Sequence, residues 1–223
     1  MKFPIAAAAA VGALTQLANP AAAQDRTGSV QVKLLGTAVL PDGKITEVAN
    51  NTPGLPATLQ TEADDNYVPT AAIEYFVSDN ISLETICCIT QHDVTATTGL
   101  PGAELVSDAK LIPATITAKY HLNAGGIRPY LGAGATYFLW VDVDPGAATL
   151  PLGVTETKLS NELGLVLQAG ADVPVNATTA VTFDAKRYFV DTTASWYAGG
   201  TKVIETEHQL DPWVLSAGVA FRF

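Results

Sequence analysis

Two stretches of the chain alternate with a strict period of two. Over 112–122, Ile112, Ala114, Ile116, Ala118, Tyr120 and Leu122 share one face, and Thr115, Thr117, Lys119 and His121 the other. Over 213–223, Trp213, Leu215, Ala217, Val219, Phe221 and Phe223 lie opposite Ser216, Gly218 and Arg222. Successive side chains of a strand point to opposite sides, so this alternation predicts strands. Six further segments, near 28–38, 67–78, 81–92, 127–141, 159–173 and 179–190, read the same way with less clarity. Eight strands is an even number, as single-chain bacterial membrane barrels have.

The connections alternate in length. Asp79-Asn80, Asn123-Ala124-Gly125-Gly126 and 174–178 are tight turns, whereas 39–66, 93–111, 142–158 and 191–209 are long. Short turns on one side and long loops on the other are the pattern of a membrane barrel. The expected fold is all-β: an eight-stranded antiparallel up-and-down transmembrane β-barrel with short periplasmic turns and long extracellular loops. Both termini would lie on the periplasmic side. The loop 39–66, rich in Asn, Thr, Pro and Gly, either moves freely or folds over the barrel mouth.

Charge sorts with this alternation. The polar face collects Lys33, Lys119, Arg128, Lys186 and Arg222 together with Glu74, Glu84, Glu162, Asp172 and Asp184. The apolar face is nearly free of charge, Arg187 excepted, and a long Arg stem reaches the headgroups. A charged residue facing lipid at mid-membrane costs about 2–4 kcal/mol, so an apolar outside and a charge-paired lumen fit a barrel. A soluble sandwich would hide the apolar face instead, and periodicity alone fits both. Tyr67, Tyr75, Tyr120, Tyr137, Trp140, Phe189, Trp213 and Phe223 fall near strand ends, as in interfacial girdles.

The N-terminus supports export. Met1-Lys2, an apolar run over 5–14 and Ala21-Ala22-Ala23 make a cleavable signal peptide over residues 1–23, leaving a barrel of residues 24–223. No later segment reaches the roughly 20 apolar residues of a membrane helix. The chain carries 12 basic and 22 acidic residues, net −10. That surplus repels phosphate and argues against nucleic acid as a partner. Cys87 and Cys88 are adjacent, so a strand would put one on each face. Metal-site spacing is absent.

The last eight residues, Ser216-Ala217-Gly218-Val219-Ala220-Phe221-Arg222-Phe223, resemble the signal read by the outer-membrane barrel assembly machinery. Gly218, Phe221 and Phe223 carry it. The resemblance then becomes specific to the OmpW family. Asp211-Pro212-Trp213-Val214 with Phe221-Arg222-Phe223 is similar to that family's closing strand. Arg128-Pro129-Tyr130-Leu131-Gly132-Ala133-Gly134 resembles its fifth strand, and Pro113 to Tyr120 its fourth. Residues 164–172 fit the sixth, and 36–41 the end of the first. One departure stands out: the family's third strand commonly has a Pro and an aromatic before its His. Here that stretch is Ile86-Cys87-Cys88-Ile89-Thr90-Gln91-His92-Asp93, with no Pro.

Nothing in the sequence points to catalysis. His92 and His208 lie at or in long loops, and His121 at the opposite end, so they cannot share a metal. His92-Asp93 reads as a solvated loop pair, with cation binding as the sharper alternative. Gly132 and Gly134 lack the rest of a dinucleotide fingerprint, and no G-x-S-x-G elbow occurs. No enzyme activity, cofactor or metal is expected. The loop acids Glu62, Asp64, Asp65, Glu104, Asp108, Asp142, Asp144, Glu205 and Glu207 read as a solvated surface, or as contacts to cations of the lipopolysaccharide layer.

An eight-stranded barrel is just wide enough for side chains to fill, which speaks against a general aqueous pore. The resemblance implies passage of small hydrophobic molecules through a narrow apolar outer channel with a side exit, in the bacterial outer membrane. The alternative is a plugged structural or adhesion barrel acting through its extracellular loops. Outer-membrane lipids and lipopolysaccharide, the assembly machinery and small hydrophobic solutes are the expected partners.

Overall fold

The computed structural model describes residues 26–223; the expected signal peptide lies outside the described residues. Along the chain the strands are β1 (Val30–Leu40), β2 (Lys44–Asn51), β3 (Gln60–Ala63), β4 (Asn66–Phe76), β5 (Ile81–Cys87), β6 (Thr90–Thr98) and β7 (Glu104–His121). They continue with β8 (Arg128–Pro145), β9 (Glu156–Leu159), β10 (Glu162–Pro174), β11 (Thr179–Phe189), β12 (Asp191–Ala198), β13 (Thr201–Gln209) and β14 (Trp213–Arg222).

Eight of these close into a barrel. The order β5-β4-β1-β14-β11-β10-β8 is completed by β7, which pairs with both β8 and β5. Every pair is antiparallel. Closure satisfies the backbone polar groups within the wall, the condition for a sheet to sit in hydrocarbon. The first and last strands meet directly: the Val30 and Phe223 backbones exchange hydrogen bonds of 3.2 and 2.8 Å.

The side chains decide between barrel and sandwich. Leu163 and Leu165 are 76% and 66% exposed, whereas Lys33 and Glu74 are 2% and 0% exposed. Apolar residues outside and charges inside suit a lipid-facing wall and contradict a water-facing one. Cys87 points outward and Cys88 inward, so the adjacent pair stays reduced.

At the end away from the short turns the wall continues as two four-stranded sheets. One is β2-β13-β12-β9, and the other is β3-β6-β7-β8, a prolongation of the barrel sheet. The stretches 39–66, 93–111, 142–158 and 191–209, expected as loops, are therefore largely strand. β7 and β8 run from the barrel into this upper part without interruption, and each of the other upper strands carries on from a barrel strand across a short break. At the break after β1, Gly43 has φ +71, and a Cβ there would come within 2.7 Å of the Ala63 nitrogen, so only Gly fits. At the break before β14, Asp211 takes φ +30 while its Oδ1 accepts from the Val190 N–H at 2.9 Å.

An apolar core fills the space between the two upper sheets. Ile45, Leu59, Val106, Val154, Trp196 and Ile204 pack there. The Trp196 Nε1–H donates to the Leu105 carbonyl at 2.9 Å, tying one sheet to the other. Trp140 corrects the girdle expectation. It shares the inward parity of Thr136 and Phe138 and packs against the interior clusters, whereas Tyr67, Tyr75, Tyr120, Tyr137, Phe189, Trp213 and Phe223 face outward.

Candidate functional site

Inward parity on six strands brings seven charged side chains to one level of the lumen, near the short-turn end. Lys33 lies 2.7 Å from Glu74 and 2.6 Å from Glu84. Lys119 is 3.0 and 2.9 Å from the same two carboxylates. Lys186 reaches Glu84 at 3.3 Å and Asp184 at 2.5 Å. Asp172 accepts from Gln31 Nε2 at 3.2 Å. All seven are at least nine-tenths buried. In so dry a setting each charge needs its partners, because an unpaired one costs several kcal/mol.

Neutral groups complete the cluster. Gln168 Nε2 donates to Glu84 at 2.8 Å and to Asp184 at 2.6 Å. The Tyr130 hydroxyl donates to Asp184 at 2.7 Å, and the Lys119 ammonium stands 3.7 Å above the Tyr130 ring. His121 Nε2 sits 2.8 Å from Glu74 Oε1, which also accepts from Ser82 at 2.5 Å. Gly170 makes room for this ring, since a Cβ there would come within 2.4 Å of the Tyr130 oxygen. Counting charges overlooks Gln31, Ser82, His121, Tyr130 and Gln168. Inward parity was the signal that would find them.

Three of the charges read from the sequence stand apart. Arg128 and Arg222 line a recess of about 20 Å³ at the short-turn mouth, beside Arg26 and Asp172. Arg222 also donates to the Ala177 carbonyl at 2.6 Å. Glu162 sits at the far end of β10, opposite Phe138, and does not join the cluster; parity was right but height was not. Phe221 and Phe223 project outward, 38% and 81% exposed. Gly218 presses against β1, where a Cβ would lie 2.0 Å from the Leu34 carbonyl oxygen.

Above the cluster lies an apolar cavity of about 60 Å³. On the scale where one water needs roughly 10–15 Å³, that is room for a few water-sized groups. Leu35, Val39, Leu111, Phe138 and Val214 wall it. Lys186, Thr70, Cys88 and Tyr188 border it next to the charged cluster, and the core between the upper sheets roofs it.

His92 and His208, expected in solvated loops, are buried and line this cavity, because the segments carrying them are strands. His92 Nδ1 meets the Asp64 carbonyl at 2.6 Å and Nε2 the Thr90 hydroxyl at 2.8 Å. His208 Nε2 meets Thr206 at 2.6 Å. Burial pushes the His208 imidazole down to about 4, partly opposed by the Gly43 carbonyl. Burial lowers His92 too, against the pull of the Asp64 backbone. Among the described residues no group of His, Cys, Asp and Glu could hold a metal ion.

One side of the cavity is thinly walled. The β4–β5 ladder stops at Ala71–Cys87, and pairing resumes only at Ala63–Val94 between β3 and β6. Between these points the Asp64 N–H donates to the Asp93 carbonyl at 3.0 Å, and the Asn66 side chain donates to the Gln91 carbonyl. Pro69 lies in this interval and has no N–H to give. On the other flank β5–β7 pairing ends at Ile86–Thr115 and β6–β7 starts at Thr90–Leu111, with Pro113 between them. Inside the interval, Thr70, Cys88 and Thr90 line the cavity; outside it, Tyr67 and Ile89 are 74% and 59% exposed.

Comparison with known proteins covers the whole described chain. The sequence model of the OmpW family matches residues 26–223. An uncharacterized outer-membrane protein of Sinorhizobium fredii, y4mB, is 32% identical over 186 residues, 81% of this chain and 76% of that protein. Outer membrane protein W of Salmonella typhi is 27% identical over 152 residues, 67% and 69% of the two chains. In fold, the crystal structure of OprG from Pseudomonas aeruginosa superposes with a TM-score of 0.76 at 22% identity, covering 90% of this chain and 98% of that one.

Proposed function

The chain belongs to the OmpW family of bacterial outer-membrane β-barrels, which are not enzymes, and on that premise we propose that it passes small hydrophobic molecules across the outer membrane. The observation carrying this reading is the apolar cavity directly above a lumen filled by buried ion pairs. A dry, charge-filled section offers no route to an apolar solute, because reaching it means displacing paired ions. The interval between β4 and the β5–β6 strand, short of backbone pairing and carrying Pro69, supports a sideways exit from the cavity into the membrane. Its location also bears on the missing proline of the third strand, since Pro69 and Pro113 on the two flanking strands interrupt the ladder instead.

The test is uptake of a fluorescent hydrophobic probe by a deletion strain with and without the restored gene. Faster uptake with the gene is expected, and equal uptake removes the support. A second reading, a plugged structural or adhesion barrel, is favoured by the same ion pairs. Planar-bilayer recordings separate a plug from a pore, since reproducible single-channel steps are incompatible with a filled lumen. We also propose that Gly218, Phe221 and Phe223 form the strand end read by the assembly machinery; the outward Phe221 and Phe223 suit such recognition.

A further inference from the structure

The cavity is apolar along most of its wall; His92, His208 and the buried Trp140 Nε1–H lie further up, and Lys186 and Thr70 sit at the end that meets the charged cluster. Of the three lysines in the charged cluster, Lys186 alone borders the cavity. Its ammonium has three N–H bonds. Two are accounted for by Asp184 Oδ1 at 2.5 Å and Glu84 Oε1 at 3.3 Å, and no third acceptor stands in reach among the described residues. Lys33 and Lys119 differ: each has two carboxylates and also faces the Tyr130 ring.

At the same end, the buried Thr70 hydroxyl meets only the Cys88 thiol, a weak partner, and no nitrogen or oxygen among the described residues. Thr117, Thr157 and Thr182 also lack a partner but lie outside the cavity wall, so Thr70 is the hydroxyl with bonding capacity to offer a guest. The neighbouring hydroxyls are already used. Thr37 and Ser216 bond each other at 2.8 Å, and Thr115 bonds Thr136 at 2.8 Å. The Cys88 thiol neighbours both Thr70 and Lys186, so the two groups border one small space.

We propose that the cavity holds an apolar chain bearing a single uncharged oxygen head of the alcohol class, with the head at Lys186 and Thr70 and the chain running up between Leu35, Phe138 and Val214. The alcohol oxygen accepts from the spare Lys186 N–H and exchanges a hydrogen bond with Thr70. A hydrocarbon leaves both groups unused. A carboxylate head meets a different obstacle. Glu74, Glu84, Asp172 and Asp184 already outnumber Lys33, Lys119 and Lys186, so a fifth carboxylate adds uncompensated buried charge. The expected order of binding at neutral pH is alcohol first, with the equal-length alkane and alkanoate behind it. This inference rests on the reading that the cavity receives the cargo.

The experiment uses the full barrel in lipid nanodiscs. Trp140 lines the cavity, so its fluorescence reports occupancy, with Trp140→Phe as the blank. Pentane, its isostere 1-butanol, and butanoate, short enough for the small cavity, are titrated at equal mole fraction in the bilayer. In the natural protein, 1-butanol should bind roughly fivefold or more tightly than pentane, about the effect of one net hydrogen bond. Thr70→Val keeps the side-chain shape and should bring the two within about twofold, while Thr70→Ser restores the preference. Equal binding of pentane and butanol, survival of the preference in Thr70→Val, or butanoate binding best would each overturn the inference and leave the cavity reading intact. If none of the three changes the Trp140 signal, the cavity reading itself fails.

Discussion

Replacing Glu84 by Gln tests the charged cluster with almost no change of shape. The Glu84 carboxylate is 2% exposed and stands 2.6, 2.9 and 3.3 Å from Lys33, Lys119 and Lys186. Gln168 also donates to it at 2.8 Å. Glu84→Gln keeps the volume and removes the one carboxylate that all three lysines share, leaving Lys33 and Lys119 with Glu74 and Lys186 with Asp184. The new amide also turns donors toward donors. Breaking one side of a buried ion pair costs about 3–5 kcal/mol, because the remaining charges have no water to retreat into. With a urea dependence of about 2–3 kcal/mol per molar, the unfolding midpoint should fall by roughly 1–2 M. The assay is reversible urea unfolding in lipid vesicles, followed by the slower or faster gel migration of unboiled barrel. A loss below about 1 kcal/mol is what a solvated pair would give. That result would mean water fills this section, and the argument for a closed lumen would be wrong.

Further outcomes follow from other residues. Gly170→Val sets a Cβ against the Tyr130 oxygen and should destabilise the barrel by about 1–3 kcal/mol, read in the same urea assay. His208 is held near 4 when folded and titrates near 6.5 when unfolded, so the unfolded state binds the extra proton first as pH falls. Stability from this group is therefore full above about pH 6.5 and lost down to about pH 4, about 3 kcal/mol in all; His208→Gln should flatten that part of the stability–pH curve. Asp211→Ala loses the 2.9 Å bond to the Val190 N–H and keeps a left-handed backbone, for about 1–2 kcal/mol in the same unfolding measurement. Trp196→Phe removes the indole donor that ties the upper sheets at 2.9 Å, and should speed amide exchange in β12 and the upper part of β7 without unfolding the barrel.

The barrel was legible where one face met lipid and the other the lumen. Strands such as 112–122 and 213–223 sort their side chains cleanly because the two surroundings differ so sharply. The upper sheets were not legible, for a different reason in each case. Short β2 buries only Ile45, so it carries little pattern. Between β13 and β2 the register shifts after Glu205 and again after Glu207, which resets the alternation within a few residues. Similar shifts separate β6 from β7 and β7 from β8. A period of two cannot be followed through such bulges. Hence His208 read as a loop residue although it lines the cavity. Charges were found by parity, yet height along the strand was not, so Glu162 was grouped with residues it never meets. Gln168 and Tyr130 escaped because they carry no charge, although they hold Glu84 and Asp184 in place.

The central claim is a barrel that admits apolar molecules while its lumen stays closed to water and ions. Flux through purified protein in liposomes tests it most directly. A hydrophobic fluorescent probe and a small hydrophilic tracer would be followed in the same vesicles against protein-free controls. Faster transfer of the hydrophobic probe, with the hydrophilic tracer unchanged, is the predicted result. Release of the hydrophilic tracer at a rate that rises with barrel number would contradict the account.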